Sequence, residues 1–498
     1  MDLQDIQSYM VSSMNEITST FQKVPGSAML IRYIQSSYQD DPVRSVIELV
    51  LVIFFIRYLL APSYVTHNNN FVQLTEEEID DLVDEWQPEP LVAKMTPFEE
   101  ADSEKTPIIV GPSGPKSKLS NGRTVTNLAS YNFYNFVGNE QVKEKAIQTL
   151  RTYGTEADIA SCLGTEGCIV YAHAFSTISS VIPAFCKRGD IIVADRASNY
   201  SIRKGLQISR STVKYFEHNN MEDLERVLQK VVKEQAKRPL TRRFIVTEGL
   251  SETVGDCVDL PKLIELKRRY KFRLMLDETW SFGVLGRTGR GLTEAQNVDA
   301  SQIDMLIGSL AGPLCAGGGF CAGSNDVVEH QRITAASYTF SAALPAMLAT
   351  TASETLNMLQ TNPEVLVQCR ENIKAMRAQL DPRSDWVHCT SAVENPVMLL
   401  VLKQDIVNSR RLSIEEQERI MQECTLANGV MITRLKSMPV YSGSNGKDEE
   451  WKLQPALKVC ITTGLSKKEI EKAGVVIRHA ITKVLTRKAS SKLALPLA

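Results

Sequence analysis

A chain of 498 residues is too long for one ordinary domain, and its 43% hydrophobic and 23% charged make-up supports a sizeable buried core. A net charge of -2, with no lysine-rich stripe carrying interleaved aromatics, argues against nucleic acid as a partner. Ten cysteines without a C-x-x-C pair, beside six histidines, argue against a disulfide framework or a zinc module, so the thiols read as reduced and mostly buried.

Residues 1–42 form a polar segment without the basic-then-apolar pattern of a cleavable signal peptide. Residues 43–62 are the most apolar stretch, with Leu49 to Ile56 uncharged and Pro42 and Pro62 flanking it. A full span takes about 20 apolar residues, and this run is shorter. Glu48 and Arg57 lie near its ends, where Arg57 can snorkel and Tyr58 can sit at the interface. The segment is expected to be a single transmembrane or membrane-anchor helix, against a buried core helix or one lying on the membrane surface. Within the linker region 63–104, Thr75 followed by Glu78 fits a capping box. Ile79, Leu82, Val83 and Trp86 share one face there, so an acidic amphipathic helix is expected, ended by Pro88 and Pro90.

From residue 105 short β-branched runs alternate with helical stretches. Strands are expected at Cys168–Tyr171, Ile191–Asp195, Val213–Phe216, Phe244–Thr247, Leu274–Asp277 and Met305–Ser309. Helices such as Met221–Ala236 and Leu260–Tyr270 lie between them. That alternation predicts an α/β large domain over 105–345 with a mostly parallel sheet. Ligands in such sheets bind beyond the carboxyl ends of the strands, where Asp195, Glu248, Asp277 and Ser309 fall. A smaller α+β C-terminal domain is expected over 346–485, with strands near Val397–Leu402 and Leu457–Thr462, and then a disordered tail over 486–498.

Three stretches carry recognisable chemistry. They run from Ile191 to Ser201 with Phe216 to Leu224 beyond, from Leu276 to Gly291, and from Gly308 to Phe320. In order and spacing they resemble the α-oxoamine synthases, fold-type-I pyridoxal-phosphate (PLP) enzymes that condense an amino acid with an acyl-CoA. The resemblance runs from about Asn127 to the end. The apolar segment followed by Glu85 to Val92 narrows it to the long-chain-base branch of serine palmitoyltransferases.

That resemblance implies a lysine holding PLP, an aspartate on the pyridinium nitrogen, two histidines at the ring and a Ser-Gly-aromatic turn. The aspartate is kept as Asp277. The lysine position falls on Gly312, the stacking histidine on Asn199 and the second histidine on Trp280, while the turn reads His173-Ala174-Phe175. Gly312 forms no imine, Trp280 is bulky enough to fill cofactor space, and Ala174 puts a Cβ where glycine gave close approach. Asp277 is therefore a vestige, capping a turn or pairing with an arginine. His173, His218, Cys315 and Cys321 read as packed, structural side chains.

The resemblance further implies a dimer with sites at the subunit interface. Thr339 and Ser341, in Tyr338 to Pro345, match the segment that reaches toward the neighbour's cofactor phosphate. The expected role is a noncatalytic but required subunit. PLP would be held by a lysine-bearing partner and not by this chain, with small accessory membrane subunits besides. The location implied is the endoplasmic reticulum membrane, single-pass, with the large domain cytosolic. The alternatives are a structural or regulatory membrane scaffold, or an inactive variant form, with no contribution to an active site, and a self-sufficient enzyme, which Gly312 opposes. One departure bears on all of these: after Tyr153-Gly154 the family's glycine-rich loop is missing, and the sequence runs straight into the next helix.

Overall fold

The computed structural model describes residues 26–60, 74–86, 94–149, 156–237, 239–427, 429–435 and 453–492. The chain divides into two compact units, Met1–Lys94 and Met95–Ala498.

In the first unit, helices occupy Ser27–Asp40, Pro42–Leu60 and Glu76–Glu85. Thr75 caps the last of these through the expected capping box with Glu78. The expected transmembrane helix is not found: among the described residues, no helix is long and apolar enough to cross a membrane. The reason is charge spacing. Arg44, Glu48 and Arg57 all lie within the 19-residue helix Pro42–Leu60. The uncharged run between Glu48 and Arg57 covers only about 12 Å at the helical rise, against a hydrocarbon core of about 30 Å. The helix is nonetheless apolar all round, and its Val, Leu, Ile and Phe side chains are exposed.

Among its described residues the second unit carries three sheets. Strands β1 (Lys116–Lys118), β2 (Thr124–Asn127), β3 (Gly167–Tyr171), β4 (Ile191–Asp195), β5 (Thr212–Phe216), β6 (Arg243–Glu248), β7 (Arg273–Asp277), β8 (Met305–Ser309) and β9 (Gly319–Gly323) come first. Then follow β10 (Val387–Cys389), β11 (Val397–Leu402), β12 (Leu426–Ala427), β13 (Val430–Met431), β14 (Thr433–Arg434) and β15 (Ala456–Cys460).

The central sheet has seven strands in the order β3-β9-β8-β7-β6-β4-β5, parallel except for β9, which pairs antiparallel with both β3 and β8. Successive side chains alternate between two cores, as period two requires. Ile192, Ala194, Phe244 and Val246 face the helices Ala174–Phe185 and Tyr200–Ser209. Ile191, Val193 and Ile245 face Met221–Gln235 and Leu260–Tyr270. Burial on both faces explains why these strands are continuous β-branched runs.

An antiparallel sheet of order β10-β11-β15-β14 follows the helices Ala346–Thr361 and Glu364–Leu380. A third sheet, β1-β2-β13-β12, ties residues near 120 to residues near 430. The last helix, Lys467–Lys492, runs through most of the expected tail, whose final residues 493–498 lie outside the described ones. Tyr153 and Gly154 also lie outside them, as do Pro62, Pro88 and Pro90.

Candidate active site

Parallel strands end together, and their carboxyl ends carry the acids. Glu248 and Asp277 are register partners at the ends of β6 and β7. Both are buried, and Asn199 lies between them. Its side-chain Nδ2 donates to Glu248 Oε1 at 3.0 Å and to Asp277 Oδ2 at 3.1 Å. Its Oδ1 meanwhile accepts from Ile202 N at 2.9 Å, capping the helix Tyr200–Ser209. Every polar atom of this side chain is thus engaged at the position the family gives to a stacking histidine. Asp277 spends its other oxygen on the amide of Thr279 at 3.0 Å, capping a turn. The possible arginine partner is not what it finds.

Burial pushes the Glu248 carboxyl well above the ordinary range, and the neighbouring charges of Asp277 and Glu252 add to it. Burial likewise raises Asp277 and Glu252. The next residue, Glu278, accepts from Ser281 and from Leu292 N at 2.8 Å through one oxygen, while its buried Oε1 has no partner. Burial pushes it up to about 7.

Trp280 sits where the family has its second histidine. Its ring meets Tyr131 edge-on at 5.1 Å, and Lys458 lies over both rings, 5.6 Å from Trp280 and 5.1 Å from Tyr131. Lys458 is buried and donates to the Tyr131 hydroxyl. Burial opposes its charge, but Tyr131 and Glu252 hold it above the ordinary lysine range. What space is left is a narrow cleft lined by Glu252, Trp280, Asn395 and Lys458, with room for little more than a water molecule. Lys458, Tyr131 and Glu252 escaped the sequence reading because each arrives from a different segment. The one available signal was a lysine inside an otherwise apolar strand, Ala456–Cys460.

Gly312 opens a single 3-10 turn with φ +64°, and a Cβ there would meet nothing within 4 Å. The glycines after it differ. A Cβ on Gly318 would lie 2.6 Å from Tyr171 O, and one on Gly319 would lie 2.9 Å from Gly308 O and 3.1 Å from Ala174 Cα. Ala174 begins the helix Ala174–Phe185, so this close approach joins the degenerate turn to the glycine run. Leu344 reaches Gly318 from the segment bearing Thr339 and Ser341. Thr339 turns its hydroxyl inward to Ala335 O at 3.1 Å; both it and Ser341 are exposed, as is Phe340.

His218 is held on both sides, its Nδ1 3.0 Å from Asp195 and its Nε2 2.9 Å from Asp256. Burial opposes its charge, but the two carboxylates outweigh that and hold it up to about 10. His173, expected to be packed, is exposed at the helix entrance. Cys321 is buried and Cys315 half-buried; burial pushes these thiols up to about 12 and about 11. Neither is a ready nucleophile.

The positions that match the family's cofactor residues do not fit PLP in this chain. Asp277, the family's partner for the pyridinium N–H, already accepts from Asn199 through Oδ2 and from Thr279 N through Oδ1. Trp280, with Lys458 stacked over it, stands where the family has its second histidine, and position 312 carries no amine.

Residues 124–477 match the family model for aminotransferase class I and II. The chain is 34% identical over 430 residues to long chain base biosynthesis protein 1c of Oryza sativa subsp. japonica, covering 83% of this chain and 86% of that one. It is 33% identical to serine palmitoyltransferase 1 of Saccharomyces cerevisiae, covering 92% of each. Among solved structures, a serine palmitoyltransferase from Sphingomonas wittichii superposes with a TM-score of 0.63 at 18% identity, over 82% of this chain and 96% of that one. A structure of SPT with PLP internal aldimine gives 0.64 at 19%, over 82% and 98%. These likenesses establish a fold-type-I PLP-transferase architecture with a mostly parallel sheet. At the sequence level, the chain belongs to the serine palmitoyltransferase subunit 1, or long-chain-base protein 1, family.

Proposed function

We propose that the chain is the noncatalytic but required subunit of serine palmitoyltransferase. It supports a lysine-bearing catalytic long-chain-base subunit 2 in condensing L-serine with palmitoyl-CoA to 3-ketosphinganine. The observation that carries this reading is Gly312: no amine stands at the imine position, and Asp277, the acid the family sets on the pyridinium nitrogen, already accepts from Asn199. PLP is then held by the partner. The exposed segment around Thr339 and Ser341 supports a role across the interface, reaching toward the partner's phosphate. Small activating and regulatory membrane subunits would complete the assembly. The exposed apolar surface of Pro42–Leu60 supports placing it at the endoplasmic reticulum membrane, with the large domain cytosolic. Residues 105–345 and 346–485 would then act as its large and small domains.

The test is co-expression with the lysine-bearing partner in membranes of cells lacking this chain, followed by pull-down and a condensation assay. Activity that needs both chains supports the reading. Co-purification without activity leaves a scaffold, or a form disabled by the loop missing after Gly154; restoring that loop separates the two.

A further inference from the structure

The chemistry of the central sheet lies at the carboxyl ends of its strands, and the opposite edge carries no part of it. Four neighbouring strands, β7-β6-β4-β5, begin there side by side, Phe244 beside Arg273, Arg243 beside Ile191, and Ile191 beside Thr212. At a strand spacing of about 5 Å, their starts span roughly 15 Å.

Each start is preceded by exposed cations. Lys187 and Arg188 lead into β4, and Arg210 leads into β5. Lys237 and Arg242 lead into β6, while Lys271 leads into β7, whose first residue is the exposed Arg273. The acid among these four loops is Asp190, and it is buried and occupied. It accepts from Lys187 N at 2.8 Å and Arg242 N at 3.3 Å, and it pairs with Arg242 Nε at 3.3 Å. Asp190 therefore fixes two of the basic loops to each other. Ser211 adds a third tie, donating to Lys187 O at 2.9 Å.

Helices also end at this edge, and their C-terminal carbonyls favour nearby cations. That accounts for a basic residue at a helix end. It does not account for large apolar side chains set among them. Leu240 is 93% exposed in the loop before β6, and Ile208 is 58% exposed just before Arg210.

A rigid basic surface with projecting aliphatic side chains is what an anionic bilayer surface attracts: cations meet lipid headgroups, and leucine and isoleucine enter the interface. We propose that this amino-terminal edge of the central sheet is a membrane-docking face that takes anionic phospholipid. The face is remote from the residues of the candidate active site, so the proposal does not depend on the catalytic arrangement proposed above.

The test uses the full chain and vesicles of phosphatidylcholine with and without phosphatidylserine, read by co-flotation. Two variants are compared with wild type, L240D and the combined R188E/R210E/K237E/R273E, all at exposed positions. Wild type should bind the phosphatidylserine vesicles more tightly, and the gain should fade as salt rises. The fourfold variant should lose that gain, a drop of roughly tenfold or more, with binding to pure phosphatidylcholine unchanged. L240D should weaken binding to anionic vesicles at every salt concentration. Melting temperature, and condensation activity of the partnered enzyme in detergent, should match wild type in both. Equal binding of wild type and both variants to anionic vesicles overturns the proposal. So does a variant that keeps full vesicle binding but loses a co-purifying protein, which would assign the face to an acidic protein surface.

Discussion

At the scale of single residues, the site gathers buried acids, Glu248, Asp277 and Glu278 among them. Glu278 gives this a pH signature. Its pKa is pushed from the ordinary 4.5 up to about 7, so the folded state binds its proton more tightly than the unfolded state. Stability from this group is full below about pH 4.5 and declines as pH rises to about 7, a loss of roughly 3 kcal/mol at most. E278Q should flatten that part of the curve. Thermal melts between pH 5 and 8 read it directly, and an unchanged slope would show that Glu278 ionises normally. His218 runs the same way over a higher window: held up to about 10, it contributes fully below its ordinary 6.5, and that support fades as pH climbs toward 10.

The glycines make a second contrast at this scale. G319A drives a Cβ to within 2.9 Å of Gly308 O and should cost about 2–3 kcal/mol. G312A meets no atom within 4 Å and should cost only about 1 kcal/mol, from its left-handed φ of +64°. Equal denaturant midpoint shifts in the two variants would contradict this.

At the scale of elements, the helix Pro97–Lys105 straps the start of the second unit to its C-terminal part. Thr96 caps it. Its Asp102 meets Arg434 at 3.0 Å and Gln422 at 2.6 Å, while Arg434 stacks over Phe98 at 5.2 Å. The Arg434 side chain is 8% exposed and its Nε lacks a partner, so its charge depends on Asp102. D102A should cost about 3 kcal/mol and open the strap to proteolysis. Limited digestion near residue 95 is the readout, and wild-type cleavage rates would show that the helix is held by other contacts. D102N, which keeps the bond to Gln422, should be milder.

Elements were also what the sequence disclosed best. Ile191–Asp195 and Met305–Ser309 were legible to the residue, because strands buried on both faces spell short apolar runs between turns. The capping box at Thr75 was legible because it is local. The fill of the site was not. Asn199, Trp280 and Gly312 could be named by position, but their partners Glu248, Glu252, Tyr131 and Lys458 come from far along the chain, and no local pattern links them. The expected span over 43–62 failed on a different ground: the run is apolar, yet Glu48 and Arg57 divide it.

At the scale of the whole molecule, the closed site says what returning one residue would do. Position 312 has open space, so G312K should fold at little cost beyond its backbone strain. Yet an amine alone meets three obstacles. Asp277 already accepts from Asn199 and from Thr279 N, so a pyridinium nitrogen would have to share its oxygens. Trp280, braced by Tyr131 and Lys458, stands where the family has its second histidine. Ala174 carries a methyl where the family's turn has a glycine, in a place where close backbone approach to a phosphate needs no side chain. Purified G312K mixed with pyridoxal phosphate should therefore develop no specific visible absorbance beyond that of wild type. Paired with a partner whose own lysine is replaced by alanine, it should give no condensation activity. A saturable visible band in G312K alone would mean that the site opens more readily than its hydrogen bonds suggest, and that the single glycine, rather than the combined packing of Asn199 and Trp280, silences this chain. If the band appears only when N199H and W280H are added, the fold has kept the outline of a cofactor site and lost it through its side chains.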